Sequence, residues 1–199
     1  EETQLEPLDE ELLIKWFNYN ILIKNFDVIL KKINKKLDAT TRNNEIIILN
    51  IQKARTHFSM DDFSSALNIL FEIIDQYKED KIHKIKLNEV YLILGEIYLI
   101  NEFDIEKAEV QFQESIALSS TNQFGKKSKN YIESINKYKN IVSEVDYLNT
   151  TSQEDDITKE EEEEQKNLIL PSPDNSSNNI DIDSLLYGAA QILYFDLGI

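Results

Sequence analysis

The sequence predicts an all-α protein built as an antiparallel array of helix hairpins, and three observations carry that reading. Four Gly and three Pro in 199 residues are too few for the frequent turns of an all-β chain and favour long helices. Apolar residues recur at steps of three and four, which place them on one face of a 3.6-residue turn. The same apolar pattern also returns along the chain. Ile29, Ile33 and Leu37, then Ala66, Leu70 and Ile74, then Ala108, Phe112 and Ile116 each step by four, with offsets of 37 and 42 residues between sets. A helical hairpin cannot bury both of its faces alone, so recurrence predicts stacking of one hairpin on the next.

Residues 1–8 read as an acidic lead-in. Asp9 can cap the first helix, with Glu10 and Glu11 favoured in its first turn by the helix dipole. Leu13, Trp16, Phe17 and Ile21 form its stripe. The apolar residues continue through Phe26, Ile29, Ile33 and Leu37, too many for one exposed helix, so a break is expected between Asn18 and Asn25. In the second hairpin Ile51, Ala54 and Phe58 make the first stripe and Asp61-Asp62 the turn. Phe63, Ala66, Leu70 and Ile74 make the second stripe.

The third hairpin is YLILGEIYLINEFDIEKAEVQFQESI, from Tyr91 to Ile116. Gly95, lacking a Cβ, lets the second helix approach the first, with Tyr91 and Tyr98 filling the space beside it. Tyr91, Leu94, Gly95 and Tyr98, followed by Ala108 and Phe112, resemble the tetratricopeptide (TPR) repeat pattern W-x2-L-G-x2-Y, then A-x3-F. Tyr replaces the Trp, and the closing Pro is absent. The resemblance extends over residues 12–118 as about three repeats, strongest in the third. Its 42-residue offset exceeds the usual repeat of about 34 residues, with Lys78–Lys86 carrying the excess.

Beyond TNQFG, with Gly125 expected to break the chain, Tyr131, Ile135, Tyr138, Val142 and Val145 form one narrow seam. That predicts the one-sided capping helix that repeat arrays require; a coiled-coil strand for a partner is the alternative. The expected domain is residues 9–148. Residues 149–183 are polar and acidic, including Glu160–Glu164, and predict a disordered linker, either a solvated spacer or a tract for basic partners. Residues 184–199 predict an apolar C-terminal helix too short to cross a bilayer. Leu185, Leu186, Ile192, Leu193 and Phe195 would dock it in cis or onto a partner.

Composition narrows the function. The net charge is −16, of which residues 149–199 contribute −10, with twelve acidic residues against Lys159 and Lys166. Such a chain repels phosphate backbones, so direct nucleic-acid binding is not expected. There is no Cys for a disulfide or thiolate site, and no apolar run of membrane-spanning length. His57 and His83 lack metal-ligand spacing, and no phosphate-binding Gly-rich loop occurs. The expectation is a non-enzyme without cofactor or metal, binding no small molecule. An intracellular location, cytoplasmic or nuclear, is expected because residues 1–11 carry no positive n-region.

The TPR resemblance implies a concave groove lined by the first helix of each pair, taking an extended peptide or a helix. In this chain it implies Gln52, Lys53, Thr56 and Ser59 in the second hairpin, and Leu92 and Glu96 in the third. The expected role is an adaptor or scaffold subunit with a protein partner. An acidic histone or basic-protein chaperone and a fragment of a larger helical solenoid are the alternatives.

Overall fold

A computed structural model describes residues 10–80, 82–163 and 182–196. The described residues form eight α-helices and no strand. The chain divides into two compact units, residues 1–130 and 131–199.

The first unit is three antiparallel helix hairpins followed by the start of a fourth element. Helices α1 (Glu10–Leu22) and α2 (Phe26–Ala39) form the first hairpin, and α3 (Asn43–Ser59) and α4 (Phe63–Tyr77) the second. Helices α5 (Leu87–Ile97) and α6 (Ile105–Leu118) form the third. Each hairpin packs on the next, α2 against α3 and α4 against α5, while the first helices α1, α3 and α5 also touch in succession. The extra residues between α4 and α5 form a connection that ends in a 3-10 turn, Lys84–Lys86.

Burial repeats along with the sequence. Ile29, Ala66 and Ala108 are fully buried, as are Ile33, Leu70 and Phe112, while Leu37, Ile74 and Ile116 are half-buried. Ala66 and Ala108 are small where helices meet closely. At Gly95 the approach is tightest, because a Cβ there would lie 2.4 Å from Cε1 of Phe112.

The turns repeat too, in a way the side chains do not announce. Lys24, Asp61 and Phe103 are the three described non-Gly residues with positive φ, at 55°, 59° and 51°. They are spaced by the same 37 and 42 residues as the apolar sets. Each stops a first helix in the left-handed region and directly precedes the residue that caps the second. After α1, Lys24 N–H donates to Ile21 O (2.9 Å) and Asn25 N–H to Asn20 O (2.9 Å). After α3, Asp61 N–H donates to Phe58 O (3.1 Å) and Asp62 N–H to His57 O (2.9 Å). Both are the paired bonds of a Schellman stop. In the third hairpin Tyr98–Glu102 is π-helical, which adds one residue, and Asp104 N–H reaches back to Tyr98 O (3.0 Å).

Left-handed backbone costs a residue with a Cβ roughly 1–2 kcal/mol. Lys24 is exposed, so Lys24→Gly is expected to raise stability by about 0.5–1 kcal/mol after the entropy of the added glycine is subtracted. A thermal melt would show the gain as a small increase in Tm.

One feature of the first unit differs from the sequence expectation. Gly125 does not break the chain; it lies in the first turn of α7 (Gln123–Glu163). Its N–H donates to Asn122 Oδ1 (2.8 Å), so Asn122 serves as the cap. The glycine is required because a Cβ would fall 1.7 Å from the carbonyl oxygen of Ser119. A buried polar group then ties α5, α6 and α7 together. Asn88 Nδ2 donates to Ser115 O, Ser115 Oγ (3.2 Å) and Ser119 O (3.3 Å). Ser115 Oγ donates to Asn88 O (2.9 Å) and accepts from Ser128 Oγ (2.9 Å).

The second unit contains the rest of α7 and α8 (Ile182–Gln191), the latter extended by a π turn at Ile192–Asp196. The predicted seam is present in part: Ile135 and Val145 are buried, Tyr131 and Tyr138 are half-buried, and Val142 is exposed. Instead of becoming disordered at residue 149, the backbone stays helical through Glu163. Extending an existing helix costs only propagation, and no Gly or Pro interrupts residues 126–163. The remainder of the predicted linker, residues 164–181, lies outside the described residues, as does Asp9. The C-terminal helix packs on its own unit. A Cβ on Gly188 would lie 3.7 Å from Ile141 Cδ1, and Ser134 Oγ donates to Asp196 Oδ2 (3.4 Å). Ala189 is buried; Leu185, Ile192 and Leu193 are half-buried. The side chains of Leu186 and Phe195 lie outside the described residues.

Candidate functional site

A cleft of about 240 Å³ opens across the first helices of the three hairpins and the start of α7. Ile14 and Asn18 come from α1, Gln52 and Arg55 from α3, and Glu89 and Leu92 from α5. Gln123, Phe124 and Lys127 close it from α7. The spacings of three and four explain the set, since each first helix turns one stripe to the core and the neighbouring stripe to the cleft.

Charged pairs frame the opening. Arg55 Nε lies 2.7 Å from Glu89 Oε1, joining α3 to α5. Lys127 Nζ lies 2.6 Å from Glu96 Oε1, joining α7 to α5. The carboxylates are the more buried members, with side chains 13% and 12% exposed against 30% for Arg55 and 55% for Lys127. Leu92 is buried and gives the site an apolar surface. Gln52 is only 2% exposed, and its Oε1 has no hydrogen-bond partner. A buried amide oxygen left unpaired costs about 1–3 kcal/mol, so Gln52 is a polar group whose satisfaction is incomplete.

The six residues expected to line a groove separate into two groups. Gln52 and Leu92 line the cleft, and Glu96 borders it through Lys127. Thr56 is buried, with its hydroxyl turned onto its own helix at Gln52 O (2.7 Å). Ser59 is exposed at the end of α3 and bonds Arg55 O (2.9 Å). Lys53 is half-buried and does not line the cleft. Sequence reasoning missed Arg55, Glu89 and Lys127, whose partners lie far along the chain, and also the α1 and α7 walls.

The two histidines belong to turns. His57 Nδ1 lies 2.9 Å from Asp62 Oδ2, and Asp62 caps α4 by accepting from Ser65 N–H (3.2 Å). His83 Nδ1 lies 2.6 Å from Asp80 Oδ2, and Asp80 also accepts from Ile82 N–H (2.8 Å). Among the described residues, no group of three or more His, Cys, Asp or Glu could hold a metal ion. No helix among them is long and apolar enough to cross a membrane.

These turn carboxylates give the fold a pH dependence of definite sign. The Ser65 hydroxyl and amide, with a smaller contribution from His57, hold Asp62 below its ordinary value. The His83 imidazole and then the Ile82 amide do the same for Asp80. For Asp104 the Lys107 amide comes first and its ammonium second. A carboxylate whose pKa is lower folded than unfolded stabilises the fold above the unfolded value, about 3.9 for Asp. That contribution disappears as pH falls through the lowered folded value. Melting temperature is therefore expected to decline from about pH 5 downward, with a shallower decline in the Asp62→Asn, Asp104→Asn double variant.

No protein-family model matches the chain, and no match was found among curated proteins or solved structures.

Proposed function

We propose that the chain is a non-catalytic adaptor whose hairpin array, similar to TPR repeats, holds a protein partner in the cleft across its first helices. The observation that carries this reading is that three consecutive hairpins contribute the same helix to one cleft, with buried Leu92 and Gln52 on its surface. At about 240 Å³ the space is below the roughly 300–1,000 Å³ typical of small-molecule pockets. It suits one or two side chains projecting from a peptide or helix. Arg55–Glu89 and Lys127–Glu96 would orient polar groups around an apolar anchor, as in many binding sites where a few placed polar groups fix direction. The use of both His in turn structures also favours binding over acid–base chemistry.

Asn18 is exposed on the α1 wall, so Asn18→Trp is expected to obstruct the cleft while leaving the core intact. Partners would be recovered by affinity purification with mass spectrometry, and a purified candidate titrated against both chains. The reading expects affinity to fall by at least about tenfold, equivalent to 1.4 kcal/mol, in the Trp variant. Equal affinity for both chains would reject it.

A further inference from the structure

The first hairpin carries a second surface, on the flank of α1 opposite the cleft. At 100° per residue, Ile14 and Asn18 share one flank of α1, whereas Leu12 and Tyr19 share the other, with Ile23 just past the end of the helix. Leu12 is 65% and Tyr19 61% exposed; Ile23 and, on α2, Val28 are exposed too. Trp16 lies on the same side of α1, with Lys32 Nζ of α2 3.8 Å from its ring centroid, a cation–π contact that joins the two helices.

The repeat shows what this surface is shaped for. Leu12 and Tyr19 precede Leu49 and Thr56 by 37 residues, the offset that relates the Lys24 turn to the Asp61 turn. Leu49 and Thr56 are buried. Leu49 packs with Leu13, Phe17, Ile29 and Ile33 of the preceding hairpin. Tyr91, a further 42 residues along, packs against the core containing Ala66 and Leu70 of its preceding hairpin. The position held by Leu12 is thus covered by the preceding hairpin in the second repeat, and in the third it packs on a core shared with the preceding hairpin.

Charge selects the occupant. Residues 10–42 carry seven Lys or Arg against four Asp or Glu, within a chain of net charge −16. Lys31 and Lys35 are exposed on α2 beside Val28 and Lys32. A second copy of this hairpin would bring like charges together, whereas acidic flanks would complement them.

We propose that the Leu12, Tyr19, Ile23 and Val28 face docks an amphipathic helix of a protein partner, with a leucine-type stripe and Asp or Glu on its flanks, in the place α2 occupies against α3. Trp16 is the only tryptophan and reports on the site. The test adds a synthetic amphipathic peptide of about 18 residues, long enough to form a helix, to the full chain. One version has a leucine stripe with Glu flanks, the other the same stripe with Lys flanks. Trp16 emission is expected to shift saturably with the Glu-flanked peptide and to require at least about ten times more of the Lys-flanked one. The Leu12→Asp, Tyr19→Asp variant, with circular dichroism and melting unchanged, should lose the shift. Asn18→Trp would add a second tryptophan, so the cleft variant here is Asn18→Arg, which should retain it. No saturable shift, equal response to both peptides, or self-association of the chain abolished by Leu12→Asp would each overturn the proposal.

Discussion

Gly125→Ala is expected to destabilise the first unit by about 3 kcal/mol or more, at the upper end of the usual cost of overpacking. The added Cβ would meet the backbone, 1.7 Å from Ser119 O and 2.8 Å from Ser119 C, so no change of side-chain rotamer relieves it. The first turn of α7 would have to move away from the Ser119–Ser120 segment. That movement would pull Ser128 from Ser115 Oγ (2.9 Å) and Lys127 from Glu96 (2.6 Å). Urea titration should show a lower midpoint with little change in slope. An unchanged midpoint would contradict the close approach of the first turn of α7 to Ser119.

Phe112→Ala should cost about 3–5 kcal/mol, as expected for truncation of a fully buried phenylalanine. Its ring occupies the space that the missing Cβ of Gly95 leaves open, with Cε1, Cδ1 and Cζ at 2.4, 2.6 and 2.7 Å from a Cβ position. Gly95→Ala alone should therefore destabilise by about 1–3 kcal/mol. In a Phe112→Ala background the same change should be nearly neutral or favourable, since the clash is gone and alanine is the better helix former. Residues in direct contact couple in this way. Additive losses across the double-mutant cycle would contradict the close packing of α5 on α6.

Most of the helical framework was legible in the sequence because apolar spacing of three and four is imposed by the helix itself. Ile29, Ala66 and Ala108 recur in equivalent positions because each second helix meets the same kind of neighbour. The first two turns were located but not their backbone: Lys24 and Asp61, like Phe103 in the third hairpin, lack the Gly that usually marks a left-handed stop. Gly125 was misread for the converse reason. Its role depends on Ser119 O, a tertiary neighbour that local pattern does not reveal. Composition alone predicts disorder for the acidic residues 149–163, whereas the backbone there continues a long helix that no Gly or Pro interrupts beyond its first turn.

The cleft was legible only in part. Gln52 and Leu92 followed from the repeat resemblance, which indicates which flank of a first helix faces a groove. Arg55 and Glu89 pair across 34 residues of chain, and Lys127 and Glu96 across 31; neither pairing has a local signature. Opposite charges set beside apolar stripes on successive first helices were the available signal. Thr56 shows the limit of that approach, because a polar residue between stripes can satisfy its hydroxyl on its own helix and lie buried away from the cleft.

The central claim, that the first helices form a partner-binding surface, is tested most directly by amide NMR of the full chain titrated with a peptide from a captured partner. The account predicts saturable shifts concentrated at Asn18, Gln52, Arg55, Glu89, Leu92 and Lys127, and their loss in Asn18→Trp. Shifts confined to residues outside the cleft, or unchanged in the variant, would contradict it.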